Sequence, residues 1–375
     1  MSYFDIVKLD PVNNYFLYSE SELDELKRKI DADRLTAFRQ DMEDLFSKPL
    51  ESVCTKQNAP EGASLHDYAS LGTYWWPDDS RDSRLPYIQR DGYANPEGQS
   101  YDKDKLRRLA YLVYHAGILF YITREKRYIE LVQKHLHHWF INEDTRMNPN
   151  MNHGQFVPGR VNGRAEGIID YSANFSYALN IIYILNNKKM IDPELQEGLV
   201  IWHRQFRDWL LESPIGKAED AAKNNHGTFY DFVLCVIEQY LGMTGEIGKR
   251  KGPFLERRIR AQTAPDFSLP EETARTKSLS YTFMGLKGFL DTAKLMKHES
   301  ADLFPELKGT VDWLYNAAIV NRNTWPHEQV TQFDEGIYLL FKDMVSHIYG
   351  DQYRKITDYI NPDKIINKVL AYLHS

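Results

Sequence analysis

Apolar residues recur along most of this chain with the 3.6-residue period of an amphipathic helix. The stretch 19–46 follows serines suited to capping and carries Leu23, Leu26, Ile30, Leu35 and Phe38 on one stripe. Leu106, Leu109, Val113, Ala116 and Phe120 repeat the theme in 103–123, and Leu131, Val132, Leu136 and Trp139 in 128–140. Helical patterning continues through 167–185, 193–211, 218–241, 246–261, 273–296, 304–319, 328–349 and 364–373. That predicts about eleven helices with short links and almost no strand-type alternation. No strict repeat of about 30–50 residues accompanies them, which disfavours a solenoid of near-identical units. The expectation is a single all-α domain over 1–375, closed as an α/α toroid.

Two polar, aromatic-rich segments interrupt this rhythm. The first, 63–100, contains Tyr74-Trp75-Trp76-Pro77-Asp78, Leu85-Pro86-Tyr87 and Arg90-Asp91-Gly92; the second, 142–164, contains Thr145-Arg146-Met147-Asn148-Pro149-Asn150 and Gly159-Arg160. Loops of this length inside a compact domain usually carry function, and both are read as walls of a binding cleft.

Composition narrows the classes. With 42% hydrophobic and 26% charged residues the chain is an ordinary globular sequence. No apolar run reaches the ~18 residues of a membrane span, and 1–11 lacks the pattern of a signal peptide. The net charge of −7 argues against a general nucleic-acid binder but leaves room for a local basic cleft. Cys54 and Cys235 make neither a disulfide framework nor a four-thiolate zinc site. The aromatic content, 13%, suits a large core and equally a groove in which rings stack on sugar faces.

Four clusters are candidates for chemistry. Asn224-Asn225-His226 is either a helix cap with a solvent-exposed imidazole or a set of donors plus a general base for a carboxylate ligand. Arg275 and Tyr281 lie six positions apart, about 240° on a continuous helix; they either border a cleft or serve an i,i+4 pair with Glu271 and the core respectively. His135, His137 and His138 lack further ligand-type partners and read as an ordinary packed helix rather than a metal site. Trp325-Pro326-His327-Glu328 is accounted for as a helix start. Phosphate-cradling glycine loops, nucleophile elbows and zinc-protease motifs are missing from the sequence.

The motifs Asp67-Tyr68-x-Ser70, Tyr74-Trp75-Trp76-Pro77-Asp78, Leu85-Pro86-Tyr87-x-x-Arg90-Asp91-Gly92-x-x-Asn95-Pro96 and Thr145-Arg146-Met147-Asn148-Pro149 together resemble the alginate lyase superfamily. The nearest likeness is to polysaccharide lyase family 38, active on alginate and glucuronan, and more distantly to the family 5 mannuronate lyases. The resemblance covers residues 60 to 335 and implies an incomplete α/α barrel of about six or seven helix pairs. It also implies β-elimination on a 1,4-linked polyuronate, with Asn225, His226, Arg275 and Tyr281 as the catalytic set. Asn225 and Arg275 would neutralise the uronate carboxylate, His226 would share that task or act as base, and Tyr281 would carry the proton. Tyr74, Trp75, Trp76, Tyr87, Arg146, Arg160, Arg164 and Asn224 would line the substrate cleft. This chemistry needs no metal or other cofactor. The implied partner is an acidic polysaccharide, with no nucleic acid and no membrane, and the protein is expected to be a monomer. Relatives are usually exported to the periplasm, whereas a native start at Met1 would place the chain in the cytoplasm.

Two other readings compete. A glycoside hydrolase on the same fold would need two carboxylates about 5–9.5 Å apart across a sugar, for which Glu271, Glu272, Asp334 and Glu335 are available. A non-catalytic glycan-binding protein would keep the aromatic and arginine residues and form no product. A polyanionic substrate must be drawn to an acidic chain by a local positive field from Arg146, Arg160, Arg164, Lys223, Arg275 and Lys277. Raising the ionic strength should therefore weaken capture of polyuronate through screening; an apparent affinity that stays flat from low to high salt contradicts that field.

Overall fold

The computed structural model describes residues 14–297, 303–321 and 324–374; the stretch 1–11 weighed as a leader lies outside them. Its helices in chain order are α1 (Glu20–Lys29), α2 (Ala32–Phe46), α3 (Lys103–Thr123), α4 (Lys126–Leu136), α5 (Phe175–Asn187), α6 (Pro193–Glu212), α7 (Pro214–Asp220), α8 (Asn225–Tyr240), α9 (Thr244–Phe254), α10 (Ser278–Leu295), α11 (Phe304–Leu314), α12 (Gly336–Tyr349) and α13 (Lys368–His374). Strands β1 (Ala69–Leu71), β2 (Trp75–Trp76), β3 (Ile88–Gln89) and β4 (His153–Phe156) are short and belong to the two non-helical segments.

The architecture is all-α, an α/α toroid. Helix α3 packs on α5, α5 on α8 and α8 on α10, while α4 packs against α3, and α6 and α9 against α8. Helices α11, α12 and α13 carry the chain round until α13 meets α2, beside α3. The inner helices are apolar on nearly every side because neighbours surround them; in α8 the run Thr228 to Glu238 is wholly buried. Gly288 of α10 is what lets these two inner helices approach. A β-carbon there would come within 2.9 Å of Thr228 and 3.1 Å of Phe229.

Several expected helices are divided, each for a local reason. The stretch 19–46 breaks at Ile30 because Asp31 caps a new helix, its carboxylate accepting the Arg34 amide. The stretch 218–241 breaks between α7 and α8, where Asn224 turns extended and caps α8 with its own amide oxygen. The stretch 273–296 becomes a single turn, Pro270–Thr273, and then α10. The expected helix 328–349 forms only from Gly336 onward, where Asp334 accepts the Gly336 amide. Its first residues instead run extended beside α10, Gln329 bridging to Lys277.

The two non-helical segments sit against each other. Strand β1 pairs with β4 in parallel, and β2 with β3 as an antiparallel hairpin. Beneath the first pair lies Asp170, buried, on the turn Ile169–Ser172. Its Oδ2 accepts from the Ser70 hydroxyl at 2.6 Å and the Tyr68 hydroxyl at 3.1 Å. Its Oδ1 accepts from Gln155 Nε2 at 3.2 Å and lies 3.3 Å from Lys103 Nζ at the start of α3. Asp102 secures the other side of β1 by accepting the Ala69 amide at 3.0 Å and pairing with Lys105 at 3.2 Å. Burial pushes the Asp102 carboxyl up to about 6 even with Lys56 and Lys105 beside it.

Removing the Asp170 carboxylate strands three buried donors at once, from Tyr68, Ser70 and Gln155, and takes its carboxylate partner from the half-buried Lys103. Asp170→Ala should lower the unfolding free energy by about 3–5 kcal/mol, the usual cost of an orphaned buried charge partner. Denaturant melts check this, and a loss below about 1 kcal/mol would mean the strands hold together without it.

Candidate active site

The catalytic candidates all occur where helices begin. At the start of α8, Asn224 Oδ1 accepts the His226 amide at 3.2 Å. Asn225 is buried and points away from Asn224: its backbone amide donates to Glu272 Oε1 at 2.8 Å and its Nδ2 to Oε2 at 2.6 Å. Glu272 lies on the turn before α10, so this double contact joins the starts of the two inner helices. Burial raises the Glu272 carboxyl, against the pull of the Asn225 donors.

His226 is half-buried, and its Nδ1 is 2.8 Å from Oε1 of the buried Glu219 on α7. Burial opposes charging of the imidazole, but the Glu219 carboxylate outweighs it and raises the His226 pKa. Burial likewise raises the Glu219 carboxyl, with His226 and Arg164 opposing and Glu166 reinforcing that shift. With Nδ1 engaged, Nε2 is the ring nitrogen left for a ligand.

Tyr281 stands in the first turn of α10, with its hydroxyl oxygen 2.7 Å from that of Tyr74. Tyr74 is delivered by the β2–β3 hairpin, where its carbonyl accepts the Arg90 amide at 2.7 Å. Arg275 precedes α10 rather than lying on it, so the 240° separation expected on one helix does not apply. Its guanidinium lies over the Tyr281 ring, 4.2 Å from the centroid. The expected partner Glu271 is not used; Arg275 instead donates Nε and Nη2 to Asp91 at 3.2 and 2.6 Å. The segment 325–330 fixes the start of α10. Trp325 Nε1 donates to Ser278 Oγ at 2.8 Å, and Gln329 Oε1 accepts the Leu279 amide at 3.0 Å.

The expected sugar-stacking aromatics are committed otherwise. Arg160 and Arg164 lie over the Trp75 ring at 5.1 and 5.7 Å, and Arg90 over Trp76 at 5.2 Å. Trp76 Nε1 donates to the Tyr93 carbonyl, and the Tyr87 hydroxyl to Glu97 Oε2 at 2.6 Å. Trp75 therefore acts as a platform for two guanidinium groups. Arg164 is further set by Gln155, whose carbonyl and side-chain oxygens accept from it, and by Glu166 at 3.3 Å. Arg160 donates to the Tyr87 carbonyl at 2.7 Å. Arg146 and Lys223 are exposed on loops; the Arg146 carbonyl meets His66 Nδ1 at 2.7 Å.

The carboxylates available for a hydrolase have other work. Glu272 is held by Asn225, Asp334 accepts the Gly336, Ile366 and Asn367 amides, and Glu335 accepts the Asn361 amide. Glu219 and Asp91 were not singled out in the sequence as site residues. Glu219 precedes His226 by seven positions, two turns on an unbroken helix, and that spacing was the available signal; Asp91 stood in plain view within Arg90-Asp91-Gly92. Among the described residues no group of three or more His, Cys, Asp or Glu side chains gathers as a metal site, and no helix is long and apolar enough to cross a membrane.

Known proteins share this fold. The family profile described as alginate lyase matches residues 52–325. An alginate lyase from Bacteroides ovatus is 28% identical and superposes with a TM-score of 0.87, covering 96% of this chain and 99% of its own. Alginate lyase A1-III from Sphingomonas species A1 has the same fold at 15% identity and a TM-score of 0.59, covering 98% and 96%. A Tyr-to-Phe variant of alginate lyase A1-III, complexed with a tetrasaccharide, is similar at 14% identity and a TM-score of 0.60, again covering 98% and 96%. No curated protein sequence matches the chain.

The elevated His226 pKa depends on an anionic Glu219. Glu219→Gln should bring the imidazole titration, followed by NMR, to lower pH. An unmoved midpoint would assign the shift to other carboxylates nearby.

Proposed function

The chain belongs to the alginate lyase family and is a polysaccharide lyase, and we propose that it cuts 1,4-linked polyuronate, alginate foremost, by β-elimination. The observation that carries this reading is a phenol, Tyr281, held under the Arg275 cation and 2.7 Å from a second phenol, Tyr74. A cation beside the ring and a hydrogen-bond donor at the oxygen both favour the phenolate form that proton abstraction requires.

The chemistry then divides among the helix starts. Uronate C5 loses its proton, the C4–O4 bond breaks, a C4=C5 double bond forms and the proton ends on the departing oxygen. Negative charge builds on the carboxylate next to C5 as this happens. In its protonated form His226, held at Nδ1 by Glu219, offers Nε2–H to that carboxylate, while Asn225, whose donors are taken by Glu272, holds this helix start in place. Arg275 is already engaged by Asp91, so its contribution goes to Tyr281 rather than to the uronate. Tyr281 takes the C5 proton and passes it to O4 where proton and leaving oxygen lie on one face. Where they lie on opposite faces, His226 in its neutral form is the base at Nε2 and Tyr281 the acid. Arg164, Arg160 and, farther out, Arg146 meet carboxylates of neighbouring residues in the polymer. A polymeric substrate of this size accords with export of the enzyme.

Tyr281→Phe keeps the ring beneath Arg275 and removes the oxygen that carries the proton. Turnover should fall by at least about 10²–10⁴-fold while oligosaccharide binding and fold survive. The assay is the ultraviolet absorbance of the unsaturated product over purified polymannuronate, polyguluronate and glucuronan. Near-normal turnover of the variant on every polymer would remove Tyr281 from the mechanism, and products lacking the absorbing double bond would replace lyase with hydrolase.

A further inference from the structure

The Arg90-Asp91-Gly92 turn of the first cleft wall contributes a group whose work the reaction scheme leaves open. Asp91 makes four contacts, all with two consecutive residues. Oδ1 accepts Arg275 Nη2 at 2.6 Å, and Oδ2 accepts Arg275 Nε at 3.2 Å, the Thr276 hydroxyl at 3.0 Å and the Thr276 amide at 3.4 Å. A bidentate carboxylate fixes both the plane and the direction of a guanidinium. Here the fixed plane lies over the Tyr281 ring. The next residue makes the docking close. Gly92 is in the left-handed region at φ +81°, and a β-carbon on it would stand 2.4 Å from Thr276 Oγ1 and 3.0 Å from Val330.

We propose that Asp91 is a positioning residue for the proton carrier: it anchors the Arg275 guanidinium over the Tyr281 ring and offsets part of its charge, and so sets how readily the phenol ionises. The assignment rests on the lyase reading for its meaning in turnover, not for its test. Without the carboxylate, the cation against Tyr281 would act uncompensated. Without the cation, the half-buried Asp91 carboxylate would disfavour a second anion nearby. Tyr74 from the hairpin meets the same phenol, and the Arg275 charge also acts on Glu272 from the turn before α10, which His226 of α8 influences in turn. None of them is altered by substitution at position 91.

The test is a direct titration of the phenol in the full chain, without substrate. Tyrosine is labelled at the ring carbon bearing oxygen, and the resonance absent from Tyr281→Phe identifies Tyr281. Asp91→Asn keeps the shape, and its amide oxygen still accepts from Arg275, so the Tyr281 midpoint should move to lower pH by about half a unit or more. Arg275→Gln should move it to higher pH, and Asp91→Glu, which keeps the charge, should return it toward the parent value. A midpoint in Asp91→Asn that is unchanged or higher overturns the proposal. If that variant does not fold, an unmoved midpoint in Arg275→Gln does so on its own. Failure of the lyase reading would appear separately, as a parent enzyme that forms no unsaturated product.

Discussion

The buried carboxylate of Asp170 is the constraint on which both cleft walls depend. It gathers Tyr68 and Ser70 from one wall, Gln155 from the other and Lys103 from the start of α3. Neither pair of two-stranded ribbons is large enough to be stable in isolation. Their donors must be satisfied once the toroid covers them, and a single buried acid with partners from three directions does this. Register follows from it: with Ser70 on Asp170 and the Gln155 amide on Ser70 Oγ at 2.8 Å, β1 and β4 have little freedom to slide. The hairpin bearing Tyr74 grows out of β1, so the position of the Tyr74 hydroxyl beside that of Tyr281 is inherited from this anchor.

A second regularity is that chemistry sits where helices are interrupted. A continuous helix spends its backbone donors on itself and spaces side chains at fixed angles. Breaking the chain at 221–224 and at 274–277 frees donors and angles together. It lets Asn225 reach Glu272, His226 reach Glu219, and Arg275 fold back over Tyr281. Polar side chains at such breaks first satisfy the helix ends, as Asn224 does, and only the remainder is available to a ligand. The acids at these breaks are engaged in the same way: Glu272 holds Asn225, Glu219 holds His226 and Asp91 holds Arg275.

The tryptophans illustrate a related economy of surfaces. Trp75 and Trp76 were expected to stack on sugar rings, yet guanidinium groups already lie over both. An indole face is attractive to a cation and to a sugar alike. Arg90, fourteen positions on in the chain, takes the Trp76 face, whereas the fold brings Arg160 and Arg164 from the second segment to Trp75.

The sequence by itself determined the all-α toroid and the two polar, aromatic segments that interrupt its helices. Helical periodicity, interrupted by two polar aromatic stretches, is local information and survives in any context. The cap-like character of Asn224-Asn225-His226 was legible for the same reason. Only the tertiary structure decided the helix breaks at Ile30, at 221–224 and at 274–277, and the late start of α12. It alone chose Asp91 over Glu271 as the partner of Arg275, gave Glu219 to His226, and laid Arg160 and Arg164 over Trp75. Those outcomes depend on contacts between residues up to 184 positions apart, where burial and the supply of partners decide the outcome and no local pattern records them.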